Sequence, residues 1–173
     1  YMADYIENEF RNQYKNLSIA YSVETEPLGT GGAIRNALTH VQSDQLLVMN
    51  GDSYCDVSLK HFIKAHHSPA SLVLVHRSDT ARYGRVTFDH DADVTQFIEK
   101  DGQAISGWIN AGIYLMSRDL IESLPADTPI SIEKDVFPDW VAQGILKGTF
   151  TQGKFIDIGL PESYAEASRF FAS

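Results

Sequence analysis

The chain has 173 residues, enough for one domain over residues 1–173 that buries roughly 70% of its unfolded-state surface, and its net charge of -9 opposes non-specific nucleic-acid binding. Cys55 is the only cysteine, so an internal disulfide is excluded and a reducing compartment is favoured. No apolar run approaches the ~18 residues of a membrane span and no basic-then-apolar leader is present, so we expect a cytoplasmic protein that binds no membrane.

Apolar periodicity predicts alternating strands and helices early in the chain, a β-meander in the middle and a helical end. This order indicates an α/β three-layer sandwich with a mixed, mainly parallel sheet and an antiparallel insertion. The predicted elements are, in chain order, a helix over about 2–13, a strand over 17–23, a helix over about 30–38, a strand over 46–50, a helix near 59–63, strands over 71–76, 84–88, 94–99 and 108–116, short helices capped by Ser117 and Ser131, and a last helix from Pro161.

Asp52 and Asp157 each follow an apolar run, 46–50 and 155–156. Open α/β sheets bind ligands at the carboxyl ends of their strands, so two acids delivered there predict one divalent-cation site. Hard oxygen ligands with open positions favour Mg²⁺, and we expect the two carboxylates to lie within about 8 Å of each other. The alternative is that residues 50–52 are only a hairpin turn and Asp157 only a surface acid.

Residues 26–33, Glu-Pro-Leu-Gly-Thr-Gly-Gly-Ala, predict a glycine loop that opens a helix. Small residues there let backbone N–H groups approach a flat or anionic group, with the helix dipole behind them. The spacing fits neither a Walker A loop nor a dinucleotide fingerprint, so a plain helix-entry turn stays open as the alternative.

Glu99 and Lys100 form a charged pair at a predicted strand end, and Asn110 lies within an apolar run. Glu99 is suited to accept hydrogen bonds from hydroxyls, and Lys100 offers a point charge for a phosphate. A solvated ion pair is the alternative for these two residues. A buried Asn110 amide requires hydrogen-bond partners.

Five segments in this order resemble the sugar-1-phosphate nucleotidylyltransferases, also called nucleotide-sugar pyrophosphorylases. The resemblance runs from Tyr1 to the last helix and implies a Rossmann-like nucleotide-diphospho-sugar transferase fold. Residues 131–138, Ser-Ile-Glu-Lys-Asp-Val-Phe-Pro, bring it closest to heptose-1-phosphate and mannose-1-phosphate guanylyltransferases. The five segments are 26–33, 50–52, Glu99–Lys100, 110–114 and 157–161.

The resemblance implies that a sugar-1-phosphate oxygen attacks the α-phosphorus of a nucleoside triphosphate, GTP being favoured, and that pyrophosphate departs. Asp52, Asp157 and Lys100 would be catalytic, with Asp52 and Asp157 holding Mg²⁺. The implied substrate-binding residues are Leu28, Gly29, Thr30, Gly32, Gly51, Gly84, Glu99 and Asn110. Arg82 and Arg85 flank the Gly84 turn, and surface solvation is the simpler interpretation of both.

Members of this family begin with a glycine-rich segment, Gly-Gly-x-Gly-Thr-Arg-Leu, and a Pro-Lys pair, and this chain contains neither. We therefore expect it to lack the first strand-helix-strand unit of the domain and its triphosphate loop, and to be inactive alone. The open sheet edge would then favour a homo-oligomer.

Two other function classes stay open. A metal-dependent glycosyltransferase would share the fold, although Asp52-Ser53-Tyr54 departs from an Asp-x-Asp metal motif. A non-catalytic nucleotide- or sugar-binding regulatory homologue is the second. A pyrophosphate-release assay separates a nucleotidylyltransferase from a glycosyltransferase. Binding without turnover identifies a regulatory homologue.

Overall fold

Ten strands and six α-helices make up residues 2–172, the part of the chain that the computed structural model describes. One 3₁₀ turn (Leu38–His40) and one turn of π-helix (Ile132–Val136) complete the regular structure of these residues. The strands are β1 (Gln13–Tyr14), β2 (Leu17–Ser18), β3 (Gln45–Met49), β4 (Ser53–Cys55), β5 (Ala70–Arg77), β6 (Arg85–Phe88), β7 (Val94–Ile98), β8 (Gly107–Ser117), β9 (Leu146–Thr151) and β10 (Phe155–Asp157). The α-helices are α1 (Ala3–Phe10), α2 (Gly29–Ala37), α3 (Leu59–Ala65), α4 (Arg118–Glu122), α5 (Phe137–Ala142) and α6 (Pro161–Ala172).

The central sheet has the strand order β7-β6-β8-β5-β9, and β3 also pairs with β8. Strand β5 pairs along one edge of β8, so β6 and β3 share the opposite edge: β6 pairs with residues 108–109 and β3 with residues 113–117. Only the β5–β9 pair is parallel within this sheet. The mixed α/β class is thus confirmed, while the expectation of a mainly parallel sheet is wrong. A strand covered on both faces, such as β5 with its first six residues buried, has the same burial pattern in either orientation, so the pattern does not report direction.

Alternating residues of β5 and β8 divide the core into two clusters, because successive side chains of a strand point to opposite faces. Leu72 and Leu74 join one cluster, with Phe137 of α5 and other side chains from α4 and the π-helical turn. Val73 and Val75 join the other cluster, with Phe62 of α3 and residues of β4 and β10. The central strands β5 and β8 therefore lie between two layers, and side chains on both of their faces are buried.

Several predicted boundaries change in the structure. The strand expected over 17–23 is limited to β2, which pairs with β1 in a short hairpin, and the first helix ends at Phe10. Strands β4 and β9 were not predicted, because each mixes polar residues or glycine into a short run and is defined by its partner, β10 or β5. Within residues 2–172, every helix is too short or too polar to cross a bilayer.

Candidate functional site

Asp52 and Asp157 lie together, as predicted. A Cβ built on Gly159 would lie 3.0 Å from Asp157 Oδ1 and 3.4 Å from Asp52 Oδ2, so the two oxygens are no farther apart than the sum of these distances. This separation is below the ~8 Å beyond which two carboxylates cannot share an ion at ~2.1 Å ligand distances, even through one water. In the described part of the chain, no group of three or more His, Cys, Asp or Glu side chains is arranged around a metal position.

Backbone pairing holds the two acids in place. Ser53 is opposite Asp157 in the antiparallel β4–β10 ladder, and Ile158 N donates to Asp52 O at 2.8 Å. Gly159 N donates to Asp157 Oδ1 at 2.7 Å, which fixes the rotamer of that carboxylate. The hairpin-turn alternative for residues 50–52 is wrong, because β3 pairs with β8 and β4 pairs with β10.

A cavity of about 470 Å³ is lined by residues 76–79, Arg82 and Tyr83, and Arg82 connects it to Asp157. The guanidinium of Arg82 is half-exposed and lies 3.8 Å from Asp157 Oδ1. Arg85 differs from Arg82, because its guanidinium donates to both carboxylate oxygens of Asp101, at 3.4 and 2.7 Å. Arg82 therefore lines this cavity while it pairs with Asp157, whereas Arg85 ties β6 to the loop after β7.

The glycine segment is part of helix α2 rather than a loop in front of it. The N–H groups of Gly31 and Gly32 both donate to Ile130 O, at 2.8 and 3.3 Å, so these two groups are already occupied within the protein. A Cβ on Gly32 would lie 2.7 Å from Thr128 O, and one on Gly29 would lie 2.6 Å from Ile130 O. These glycines allow segment 128–132 to pack closely on the helix, a requirement set by residues about 100 positions away.

Of the residues predicted to contact a base, Leu28 is half-buried, while Gly29 and Thr30 are exposed at the start of α2. Leu28 N donates to Glu24 Oε2 at 2.8 Å, and Leu28 O accepts from Ile130 N. Of the predicted residues in this segment, Gly29 and Thr30 therefore present an exposed surface to a ligand, and Gly32 is buried behind them.

Gly84, Glu99 and Asn110, predicted to hold a sugar, are brought together. Asn110 N donates to Gly84 O at 2.9 Å, and a Cβ on Gly84 would lie 3.2 Å from Glu99 Oε2. Asn110 Oδ1 accepts from Gly112 N at 2.9 Å, and Gly112 has a φ of 72°, which favours glycine. Asn50 N donates to Gly112 O at 2.8 Å, which connects this cluster to Gly51 and Asp52.

Lys100 follows β7 directly after Glu99 and is exposed. It forms no hydrogen bond or ion pair with residues 2–172, so the alternative of a Glu99–Lys100 ion pair receives no support from the structure. A long, unpaired ammonium beside Glu99 is free to meet a phosphate.

Sequence reasoning assigned no role to Tyr114 and Glu133, which join the two halves of the site. The hydroxyl of Tyr114 accepts from Asn110 Nδ2 at 2.8 Å and donates to Glu133 Oε1 at 3.4 Å. Burial, with the Glu133 carboxylate next in importance, raises the pKa of Tyr114 well above its ordinary value, so this hydroxyl stays protonated as a donor. Both residues lie in segments that carry the family resemblance, and this was the signal in the sequence that could have pointed to them.

An α/β fold that brings two carboxylates together next to the polar cluster of Gly84, Glu99 and Asn110 is suited to nucleotidyl transfer. A family profile described as Nucleotidyl transferase (NTP_transferase) matches residues 1–173. The chain belongs to this family, and the resemblance stated from its motifs is confirmed.

Three relatives illustrate the similarity. A D-glycero-alpha-D-manno-heptose 1-phosphate guanylyltransferase of Aneurinibacillus thermoaerophilus is 34% identical over 98% of this chain and 74% of its own length. The Mannose-1-phosphate guanylyltransferase catalytic subunit beta of Drosophila melanogaster is 33% identical over 95% of this chain, which spans only 46% of that subunit. The crystal structure of HddC from Yersinia pseudotuberculosis, 39% identical, superposes with a TM-score of 0.87 over 99% of this chain and 75% of HddC. HddC has also been crystallised with GMP-PN.

Proposed function

We propose that this domain transfers a guanylyl group from GTP to a sugar-1-phosphate of the heptose or mannose type, and releases pyrophosphate. The observation that carries the proposal is the Asp52–Asp157 pair beside the Gly84, Glu99 and Asn110 cluster, in a chain that is 34% identical to a heptose-1-phosphate guanylyltransferase. A phosphate oxygen of the sugar-1-phosphate forms the new bond to the α-phosphorus. The bond from that phosphorus to the β-phosphate oxygen breaks, and pyrophosphate leaves with the electron pair.

A divalent cation serves nucleotidyl transfer in this family, and we propose that Mg²⁺ is the ion here. Two carboxylates with room for phosphate oxygens and water fit the preferences of Mg²⁺. Asp52 and Asp157 would hold the ion, which would neutralise charge on the phosphates. The hydrogen bond from Gly159 N to Asp157 Oδ1 keeps that carboxylate oriented toward Asp52.

The remaining residues would bind and orient the substrates. Glu99 would accept hydrogen bonds from sugar hydroxyls, with the Gly84 backbone and the second N–H of the Asn110 amide beside it. Lys100 would contact the sugar phosphate, and Arg82 would supply a second positive charge at the cavity next to Asp157. The exposed start of α2, Gly29 and Thr30, would lie against the base, for which we propose a purine and guanine before adenine. Leu28 and Gly51 would support these contacts through their backbone.

We also propose a cellular location and an oligomeric state. Nucleoside triphosphate as a substrate and a single cysteine favour the cytoplasm. A homo-oligomer stays a prediction for light scattering or sedimentation to test.

The test measures pyrophosphate release from GTP with Mg²⁺ and either D-mannose 1-phosphate or a heptose 1-phosphate. It uses this chain and, where the gene encodes a longer polypeptide, that polypeptide as well. Turnover that is lost in Asp157→Asn supports the proposal. Release of a nucleoside diphosphate from a nucleotide-sugar would favour a glycosyltransferase, and binding of both substrates without turnover in any form would favour a regulatory homologue. A preference for a pyrimidine in competition binding would refute the assignment of the base.

A further inference from the structure

Glu133 is a half-buried carboxylate in the π-helical turn that receives hydrogen bonds from three hydroxyls. Thr30 Oγ1 and Ser131 Oγ donate to its Oε2 at 2.7 and 3.1 Å, and the Tyr114 hydroxyl donates to its Oε1 at 3.4 Å. Thr30 Oγ1 in turn accepts from Ile132 N at 2.8 Å. Because an ionised carboxylate can only accept, each of the three hydroxyls donates its proton to Glu133.

The two arms of this network end on different parts of the site. One arm ends at Thr30, which is exposed at the start of α2 on the side proposed for the base. The other arm passes through the Tyr114 hydroxyl to Nδ2 of Asn110, on the side proposed for the sugar. The Thr30–Glu133 contact spans 103 positions of sequence, so the network joins elements that are otherwise separate in the chain.

We propose that Glu133 is a positioning residue that orients Thr30 for the nucleotide and Asn110 for the sugar phosphate at the same time. The inference rests on the proposed function and adds to it a residue that touches neither reacting group. Only a carboxylate offers acceptors on both arms. An amide of the same shape presents its NH₂ either to Tyr114 or to the Thr30 and Ser131 pair, so one arm loses its acceptor in either orientation.

The experiment compares Glu133→Gln with Asp135→Asn, a matched control from the same helical turn. Among residues 2–172, Asp135 Oδ2 accepts a hydrogen bond only from the local Ser131 N, at 2.8 Å, and Asp135 is exposed. Equilibrium dissociation constants are measured separately for GTP with Mn²⁺ and for D-mannose 1-phosphate. We expect Glu133→Gln to weaken at least one of these ligands by about fivefold or more, and Asp135→Asn to change both by less than about twofold, at similar melting temperatures.

Thr30→Val keeps the proposal testable if Glu133→Gln folds poorly, since Thr30 is exposed. Removing the Thr30 hydroxyl takes away one donor from Glu133, and we expect the affinity for D-mannose 1-phosphate to fall as well as that for GTP. A purely structural role for Glu133 predicts a lower melting temperature with both dissociation constants unchanged, and that result overturns the inference. A wild-type protein that binds neither ligand overturns the proposed function first, and the inference with it.

Discussion

Gly159→Ala is the most direct perturbation of the carboxylate pair. The new methyl group would lie 3.0 Å from Asp157 Oδ1 and 3.4 Å from Asp52 Oδ2, between the two acids. A contact of 3.0 Å requires a shift of a few tenths of an ångström, which exceeds the ~0.2 Å tolerance of a metal–ligand distance. Gly159 does not have a positive φ, so alanine fits its backbone and the free energy of unfolding should stay within about 1 kcal/mol of wild type.

We expect Gly159→Ala to weaken divalent-cation binding by about 10- to 100-fold, the usual effect of disturbing the groups that orient metal ligands. The assay is a titration of Mn²⁺ followed by the electron paramagnetic resonance of the free ion, with and without GTP, and with Mg²⁺ as competitor. Gly107→Ala is the control, because its methyl group would make ordinary contacts of 3.5 to 3.7 Å with Arg85 and Thr80. Unchanged Mn²⁺ affinity in Gly159→Ala would refute the shared site.

Three further outcomes are expected. Lys100→Met should change the free energy of unfolding by no more than about 0.5 kcal/mol. It should weaken D-mannose 1-phosphate binding at least fivefold. Unchanged affinity would show that Lys100 is only a solvated surface residue. Arg85→Met should lower the melting temperature more than Arg82→Met, because only Arg85 forms two hydrogen bonds to Asp101; the reverse order in calorimetry would contradict this. Burial raises the pKa of Cys55 from 9.0 to about 11, so the unfolded chain loses this proton first and stability should fall as the pH rises from 9 to 11. Chemical denaturation of Cys55→Ala should show a smaller loss over that interval.

Local patterns were sufficient for the carboxylate pair and for most of the strands. An apolar run that stops at Gly51-Asp52 indicates both a strand and the acid that follows it, and Asp157 follows the same rule. Gly84, Glu99 and Asn110 lie together as expected, because the family resemblance implies that all three hold the sugar.

The rest depended on contacts between distant segments. The N–H groups of Gly31 and Gly32 are used by Ile130, which nothing near the glycines in sequence reveals. Glu133 resembles a solvated helix residue until Thr30 and Tyr114 are placed beside it. Strand directions were misjudged for the same reason, since hydrophobicity reports burial and not the partner that a strand chooses.

The pairing of both β3 and β6 with one edge of β8 restricts how the two parts of the site can move. Strand β3, which leads to Asp52, and strand β6, which follows Gly84, join that edge at neighbouring points, through Gly112 O and Asn110 N. The spacing between these two attachment points is therefore set by three consecutive covalently linked residues. A rocking motion of the sheet would move Asp52 and the Gly84 turn together. Relative motion between a bound nucleotide and a bound sugar must then come from the side chains and from elements outside this strand, such as the start of α2.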